Sequence, residues 1–94
     1  MKIIVFDTET TGLPKKGNKS VPDPDTWPYI CQISWLVFDD VTEKFYTRDY
    51  IIKLPAGVII PKVCSDIHGI TNEIMQKDGV DIKGVLQEFT SDWM

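Results

Sequence analysis

The chain opens on Lys2-Ile3-Ile4-Val5-Phe6, an unbroken apolar run of strand formers that ends abruptly at Asp7. A run with no polar alternation suits a strand buried on both faces. Directly after it come Asp7-Thr8-Glu9-Thr10-Thr11-Gly12. Asp7 and Glu9 stand two apart, so in an extended chain their side chains project to the same face. Two carboxylates converging at the end of a strand repel each other unless a cation lies between them. Hard divalent ions such as Mg2+ or Mn2+ take oxygen ligands of this kind. In phosphodiester hydrolysis, two such ions about 4 Å apart activate a water and stabilise the leaving oxygen. The plain alternative is a pair of solvated strand-end carboxylates, and an isolated Asp-x-Glu does not exclude it.

The rest of the chain reads as one small α/β unit. Gly12 lets the chain turn away from the first strand. Residues 13–28 carry Pro14, Pro22, Pro24 and Pro28 with Lys15, Lys16 and Lys19, which predicts a long irregular surface loop. Tyr29 to Phe38 is a second strand candidate with apolar groups on both faces. Asp39-Asp40-Val41-Thr42-Glu43 reads as a hairpin connection into a third strand over 45–54, punctuated by Pro55 and Gly57. Pro61 opens a short helix through Ser65 and Ile67 that is interrupted at Gly69, and a second short helix starts at Thr71 or Asn72. From Asp81, a suitable N-cap, Ile82, Val85, Leu86, Phe89 and Trp93 repeat at helical spacing. The expected fold is therefore a three-stranded antiparallel meander followed by helices. In sheet order 3-2-1 the first strand is an edge, apolar throughout and without a protecting charge inside it, which invites pairing with another chain.

Composition narrows the function classes. A formal net charge of −4 argues against the broad basic surface by which many proteins neutralise nucleic-acid phosphates. It does not argue against an enzyme that holds a phosphate through cations bound to carboxylates. Cys31 and Cys64 are the only cysteines and form no CxxC pair, so they read as reduced thiols of an intracellular, cytoplasmic protein rather than a disulfide. No apolar stretch approaches the ~20 residues of a membrane span. The lysines of the long loop read as solvated, with phosphate contact the alternative. Trp27, Trp35 and Trp93 read as packing residues rather than stacking platforms for bases.

The Phe6-Asp7-Thr8-Glu9-Thr10-Thr11-Gly12-Leu13 segment resembles the first exonuclease motif of the DnaQ-like family, the DEDD 3′–5′ exonucleases of ribonuclease H-like fold. The resemblance continues in family order through Trp27-Pro28-Tyr29-Ile30-Cys31-Gln32-Ile33-Ser34-Trp35, Ile67-His68-Gly69-Ile70-Thr71-Asn72-Glu73-Ile74 and Val85-Leu86-Gln87-Glu88-Phe89. It implies that residues 1–94 are the N-terminal part of such a domain, running from the first motif to the first main helix. It also implies that Asp7 and Glu9 are catalytic metal ligands for Mg2+ or Mn2+, two ions in a complete site. Thr8, Glu9, Thr10, Ile67 and His68 would then contact the 3′-terminal nucleotide. His68 has a second reading, as a helix-end residue that hydrogen-bonds backbone.

The implied activity is removal of nucleotides from 3′ ends. Single-stranded DNA is the first substrate choice and RNA the rival, and proofreading beside a DNA polymerase, as in DNA polymerase III, is the implied setting. The family's second and third motifs, with the remaining carboxylates and the histidine general base, would lie beyond Met94. Two divalent ions carry four positive charges against the two negative ones of Asp7 and Glu9, so the 94 residues alone are expected to be inactive or nearly so. Two other classes remain. One is a non-catalytic interaction module that self-associates or binds a partner through the open strand. The other is a phosphatase with Asp7 as nucleophile, disfavoured because Glu9 stands where its second aspartate belongs.

Overall fold

The computed structural model describes residues 1–12 and 28–93. The expectations for Lys15, Lys16, Lys19 and Trp27 lie outside that range. Three strands are followed by three helices: β1 (Lys2–Thr10), β2 (Ile30–Asp39), β3 (Lys44–Ile51), α1 (Lys62–His68), α2 (Asn72–Asp78) and α3 (Ile82–Trp93). The sheet order is β1-β2-β3, all neighbours antiparallel.

β1 is longer than its apolar run predicts. Pairing with β2 carries on past Phe6 through Asp7↔Ser34, Thr8↔Ile33 and Glu9↔Gln32, and only then does the register shift, between Glu9 and Thr10. Ladder hydrogen bonds therefore hold the acidic segment extended, where side-chain character alone marked it as the strand's end. β3 conversely ends early, at Ile51. Beyond it the Ile52 amide still donates to the Cys31 carbonyl (3.0 Å), but the Lys53 amide donates to the Val80 carbonyl (2.9 Å). The β2–β3 turn closes on itself: the Val41 amide donates to Asp39 Oδ1 (2.9 Å), and Glu43 takes up the left-handed conformation, φ 58°.

Register assigns the two faces. Cys31, Ile33, Trp35 and Val37 of β2 point to the covered face and are buried. Ile33, Trp35 and Val37 pack with Ile52 and with Val85 of α3, while Ile82 and Phe89 of α3 lie against the same cluster. A second cluster of Cys31, Leu54, Ile60, Ile70 and Met75 fills the space between the sheet's far end and the short helices. Asn72 ties that layer together, accepting from the Ile60 amide (2.8 Å) and donating to its carbonyl (3.1 Å). Gly79 stands where α2 meets the chain after β3. A Cβ there would lie 2.3 Å from the Met75 carbonyl oxygen and 2.8 Å from Lys53 backbone atoms, so contact distance reserves the site for glycine.

Two packing expectations fail for one reason. β1 is not buried on both faces: Val5 is 62% and Phe6 61% exposed. Trp93, placed on the apolar stripe of α3, is 57% exposed. Val5 lies on the sheet face that α3 does not cover, and Phe6 and Trp93 line a groove beside β1 on the α3 side; on neither side does a described residue complete the layer. No helix among the described residues is long and apolar enough to cross a membrane.

Candidate active site

The acidic end of β1 is fixed in place by the residues that follow it. Thr10 Oγ1 donates to the Gly12 carbonyl (3.0 Å), and the Thr11 amide donates to the Tyr29 carbonyl (3.0 Å). Thr11 Oγ1 accepts from the Tyr29 amide (3.0 Å), and Gly12 turns the chain at φ 146°. Three side chains then fasten this corner to its surroundings. Cys64 of α1 donates its thiol to the Thr11 carbonyl (3.2 Å), and buried Cys31 donates to the Glu9 carbonyl (3.3 Å). His68, the last residue of α1, stands with Nε2 3.6 Å from Cys31 Sγ.

His68 is committed on both nitrogens. Its Nδ1 accepts from the Ile70 amide (3.1 Å) across the helix end, where Gly69 is left-handed at φ 78°. In the neutral ring an accepting Nδ1 leaves the proton on Nε2, the atom facing Cys31. The helix-end role anticipated from sequence is thus present, and what His68 offers outward is ring surface rather than a free nitrogen. Both cysteines are free thiols. Burial pushes the Cys31 thiol up from its ordinary pKa, which suits a structural donor and not a nucleophile.

Thr8, Glu9, Thr10, Gly12, Val63, Cys64, Ile67 and His68 line one open cleft of about 440 Å³ between the end of β1 and α1. All five residues assigned to substrate by sequence stand here. Gly12, Val63 and Cys64 were not singled out, although Val63 and Cys64 lie four and three positions before Ile67, the spacing of a single helix face. Val63 and Ile67 are exposed and give the cleft an apolar wall opposite the carboxylate.

Asp7 does not line that cleft. It is exposed, accepts from the Thr8 amide (2.9 Å), and borders a second open groove with Val5, Ser34, Leu36, Thr47, Arg48 and Asp49. Uninterrupted pairing from Asp7 to Glu9 puts both carboxylates on the sheet face that α3 does not cover. Among the described residues no basic side chain pairs with either one. The donor set is two neighbouring, unneutralised, hard oxygen ligands, and it fits a divalent cation in chemical kind. It does not complete a coordination shell: no group of three or more His, Cys, Asp or Glu stands together among the described residues.

A very different carboxylate lies on the other face of the sheet, where Trp35 and Arg48 point. Asp92 of α3 is only 8% exposed and accepts from Trp35 Nε1 and from Arg48 Nε, each at 2.8 Å. Glu88, one turn earlier, accepts from the Tyr50 hydroxyl and pairs with Arg48 at 3.1 Å. The Arg48 hydrogen bond, with that of Trp35 behind it, holds the Asp92 carboxyl below the usual range despite its burial, and the partnership raises Arg48 in turn. Sequence reading placed Glu88 and Asp92 on the last helix but could not foresee this network, because its partners come from β2 and β3.

No protein-family model matches the chain, and no curated protein matches it. Solved structures do. Cell-death related nuclease 4 (CRN-4) superposes with a TM-score of 0.67 at 17% identity over 96% of this chain and 29% of its own. The nuclease domain of 3′hExo, a DEDDh family member bound to rAMP, gives 0.67 at 20% identity over 99% of this chain and 43% of its own. A full-length 3′-exonuclease gives 0.66 at 18% identity over 94% of this chain and 27% of its own. The chain thus spans less than half the length of each of these three solved structures. At these identities the likeness establishes architecture: this is an α/β fold matching the N-terminal part of exonuclease domains of the ribonuclease H-like kind.

Proposed function

We propose that this chain forms the first part of a metal-dependent 3′–5′ exonuclease domain, in which Asp7 and Glu9 are ligands of the catalytic cations. One observation carries the reading. The two carboxylates stand on one face at the end of β1, neither in an ion pair with a basic side chain among the described residues, next to a cleft with an apolar far wall. A structural carboxylate in the same molecule, Asp92, is treated in the opposite way and is fully partnered.

Bound Mg2+ or Mn2+ supplies Lewis-acid activation of water and of the leaving oxygen in phosphodiester hydrolysis. The chain's own residues do the rest of the positioning. β1 holds Asp7 and Glu9 in register through its ladder with β2. Ile67 and the ring of His68 offer apolar surface to the terminal sugar or base, while Thr8, Glu9 and Thr10 border the opposite side. With both nitrogens engaged, His68 serves as a wall and not as the general base. Two carboxylates do not by themselves hold two divalent ions, and no third stands beside them among the described residues, so cleavage draws on ligands beyond this pair.

DNA is the favoured substrate and proofreading beside a polymerase the favoured setting, both on the motif resemblance. RNA 3′-end trimming is the rival, and the nuclease domain bound to rAMP gives it support. The deciding experiment follows Mn2+-dependent nucleotide release from 3′-labelled DNA and RNA oligonucleotides. The chain is assayed alone and in a form extended by any further sequence its gene encodes. Activity confined to the extended form and abolished by Asp7→Ala is the expected result. Activity of the extended form that survives Asp7→Ala contradicts the proposal.

A further inference from the structure

Beside the acidic end of β1, β2 carries one residue too many. The register passes from Glu9↔Gln32 directly to Thr10↔Ile30, so Cys31 has no partner opposite it in β1. Its carbonyl is taken on the other side by the Ile52 amide (3.0 Å). An extra residue of this kind bends the strand and re-aims a side chain. Here the side chain is a thiol with no exposed surface, standing between two elements of the candidate site. Cys31 Sγ lies 3.3 Å from the Glu9 carbonyl oxygen and 3.6 Å from His68 Nε2.

The protons at this contact have one consistent arrangement. The Ile70 amide donates to His68 Nδ1 (3.1 Å), so the single proton of the neutral ring is on Nε2. Nε2–H can only donate, and Cys31 Sγ must accept. That leaves the thiol proton for the Glu9 carbonyl, and burial, which raises the thiol's pKa, keeps that proton in place. One directed chain results, from the Ile70 amide to His68, from His68 to Cys31, and from Cys31 to Glu9. Each sulfur link is weak, but the sulfur is shut away from any water that could replace it.

We propose that Cys31 is a positioning residue, whose thiol fixes the His68 ring against the backbone of Glu9 and so sets the spacing between the nucleotide wall and the metal ligand. The role rests on the nuclease reading above; the hydrogen-bond chain does not. Its two ends depend on it unequally. Glu9 is also held by the β1–β2 ladder, whereas α1 has no fully buried residue and is fastened by this contact and by Cys64 on the Thr11 carbonyl. Loss of the thiol therefore loosens the wall before it moves the carboxylate.

His68 is the only histidine, so its ring nitrogens are assigned directly in a 15N spectrum of the 94-residue chain. At about pH 8, where an ordinary imidazole is neutral, the wild type should show a bare Nδ1 and a protonated Nε2. That proton should exchange at least about tenfold more slowly than the proton of a free imidazole. Cys31→Ala should remove the protection, and Cys31→Ser, which keeps donor and acceptor on one atom, should retain most of it. If circular dichroism shows that Cys31→Ala does not fold, Cys31→Val fills the site without a polar hydrogen and gives the same reading. In an active extended form, Cys31→Ala should raise KM for a 3′-labelled oligonucleotide about fivefold or more, with kcat within about threefold, and Cys31→Ser should restore KM. A merely structural loss lowers kcat and leaves KM unchanged. A ring proton that exchanges freely in the wild type, protection that survives Cys31→Ala, or a fall in kcat at constant KM would each overturn the proposal. Absence of cleavage by any extended form would contradict the nuclease reading, and with it the positioning role, while a protected ring proton would still uphold the hydrogen-bond chain.

Discussion

Two acidic corners of this molecule obey the same electrostatics and reach opposite results. At the α3 corner, Asp92 is nearly buried and each charge is answered: Trp35 and Arg48 donate to it, and Glu88 shares Arg48 and takes the Tyr50 hydroxyl. At the β1 corner no described basic side chain pairs with Asp7 or Glu9, and the fastening is done by thiols and a histidine directed at backbone carbonyls and amides. A carboxylate whose charge is met inside the protein serves the fold. One whose charge is not met depends on something from outside. On the proposed reading, the difference distinguishes Asp92 as structural from Asp7 and Glu9 as metal ligands, in a chain where 14 acidic residues offer many candidates by composition alone.

Substitution should break that symmetry first. Asp7→Ala and Glu9→Ala are expected to lower nuclease activity of an extended, active form by more than about a hundredfold, while changing folding stability by no more than about 0.5 kcal/mol. Asp92→Ala should do the reverse. It leaves Trp35 Nε1–H without its partner in the core and costs about 2–3 kcal/mol in denaturant unfolding, with metal binding intact.

Acid sharpens the same contrast with a smaller effect. Asp92 is depressed in the folded state, chiefly by its hydrogen bond from Arg48, so the stability it contributes is present above the ordinary carboxylate pKa of about 3.9. That stability is lost as pH falls through the lower folded value. The unfolding midpoint should therefore decline below about pH 5, and Asp92→Asn should flatten the decline. His68→Gln should matter least. Loss of the Nδ1 acceptor for the Ile70 amide costs about 1 kcal/mol, read as a small shift in the thermal midpoint.

Much of the architecture was legible in the sequence because its signals are local. The run Lys2–Phe6, the Asp39–Glu43 turn, Pro61 before α1, Thr71 before α2 and the Ile82-Val85-Phe89 spacing each mark an element by nearby chemistry. What was not legible depends on partners distant in sequence. The ladder to Gln32 carries β1 through Glu9, and Val80 draws Lys53 away from β3. At Gly79 the Met75 carbonyl and the Lys53 backbone together leave no room for a side chain, and the second of these comes from a distant part of the chain. At the site, Asp7 and Glu9 announced themselves by spacing. The joining of Ile67 and His68 to Glu9 in one cleft rests on the docking of α1 through Cys64 and Cys31, for which no local pattern exists.

The most direct measurement is the thermal midpoint of the wild-type chain, Asp7→Ala and Glu9→Ala, each with and without millimolar Mn2+. A cation bound between unneutralised carboxylates of the native state stabilises it by mass action. The account predicts a metal-dependent rise for the wild type, its loss in both variants, and variant midpoints no lower than wild type in the absence of metal. A wild-type midpoint indifferent to Mn2+, together with a fall on substituting Asp7, would show that these acids serve the fold as Asp92 does, and the proposed site would be wrong.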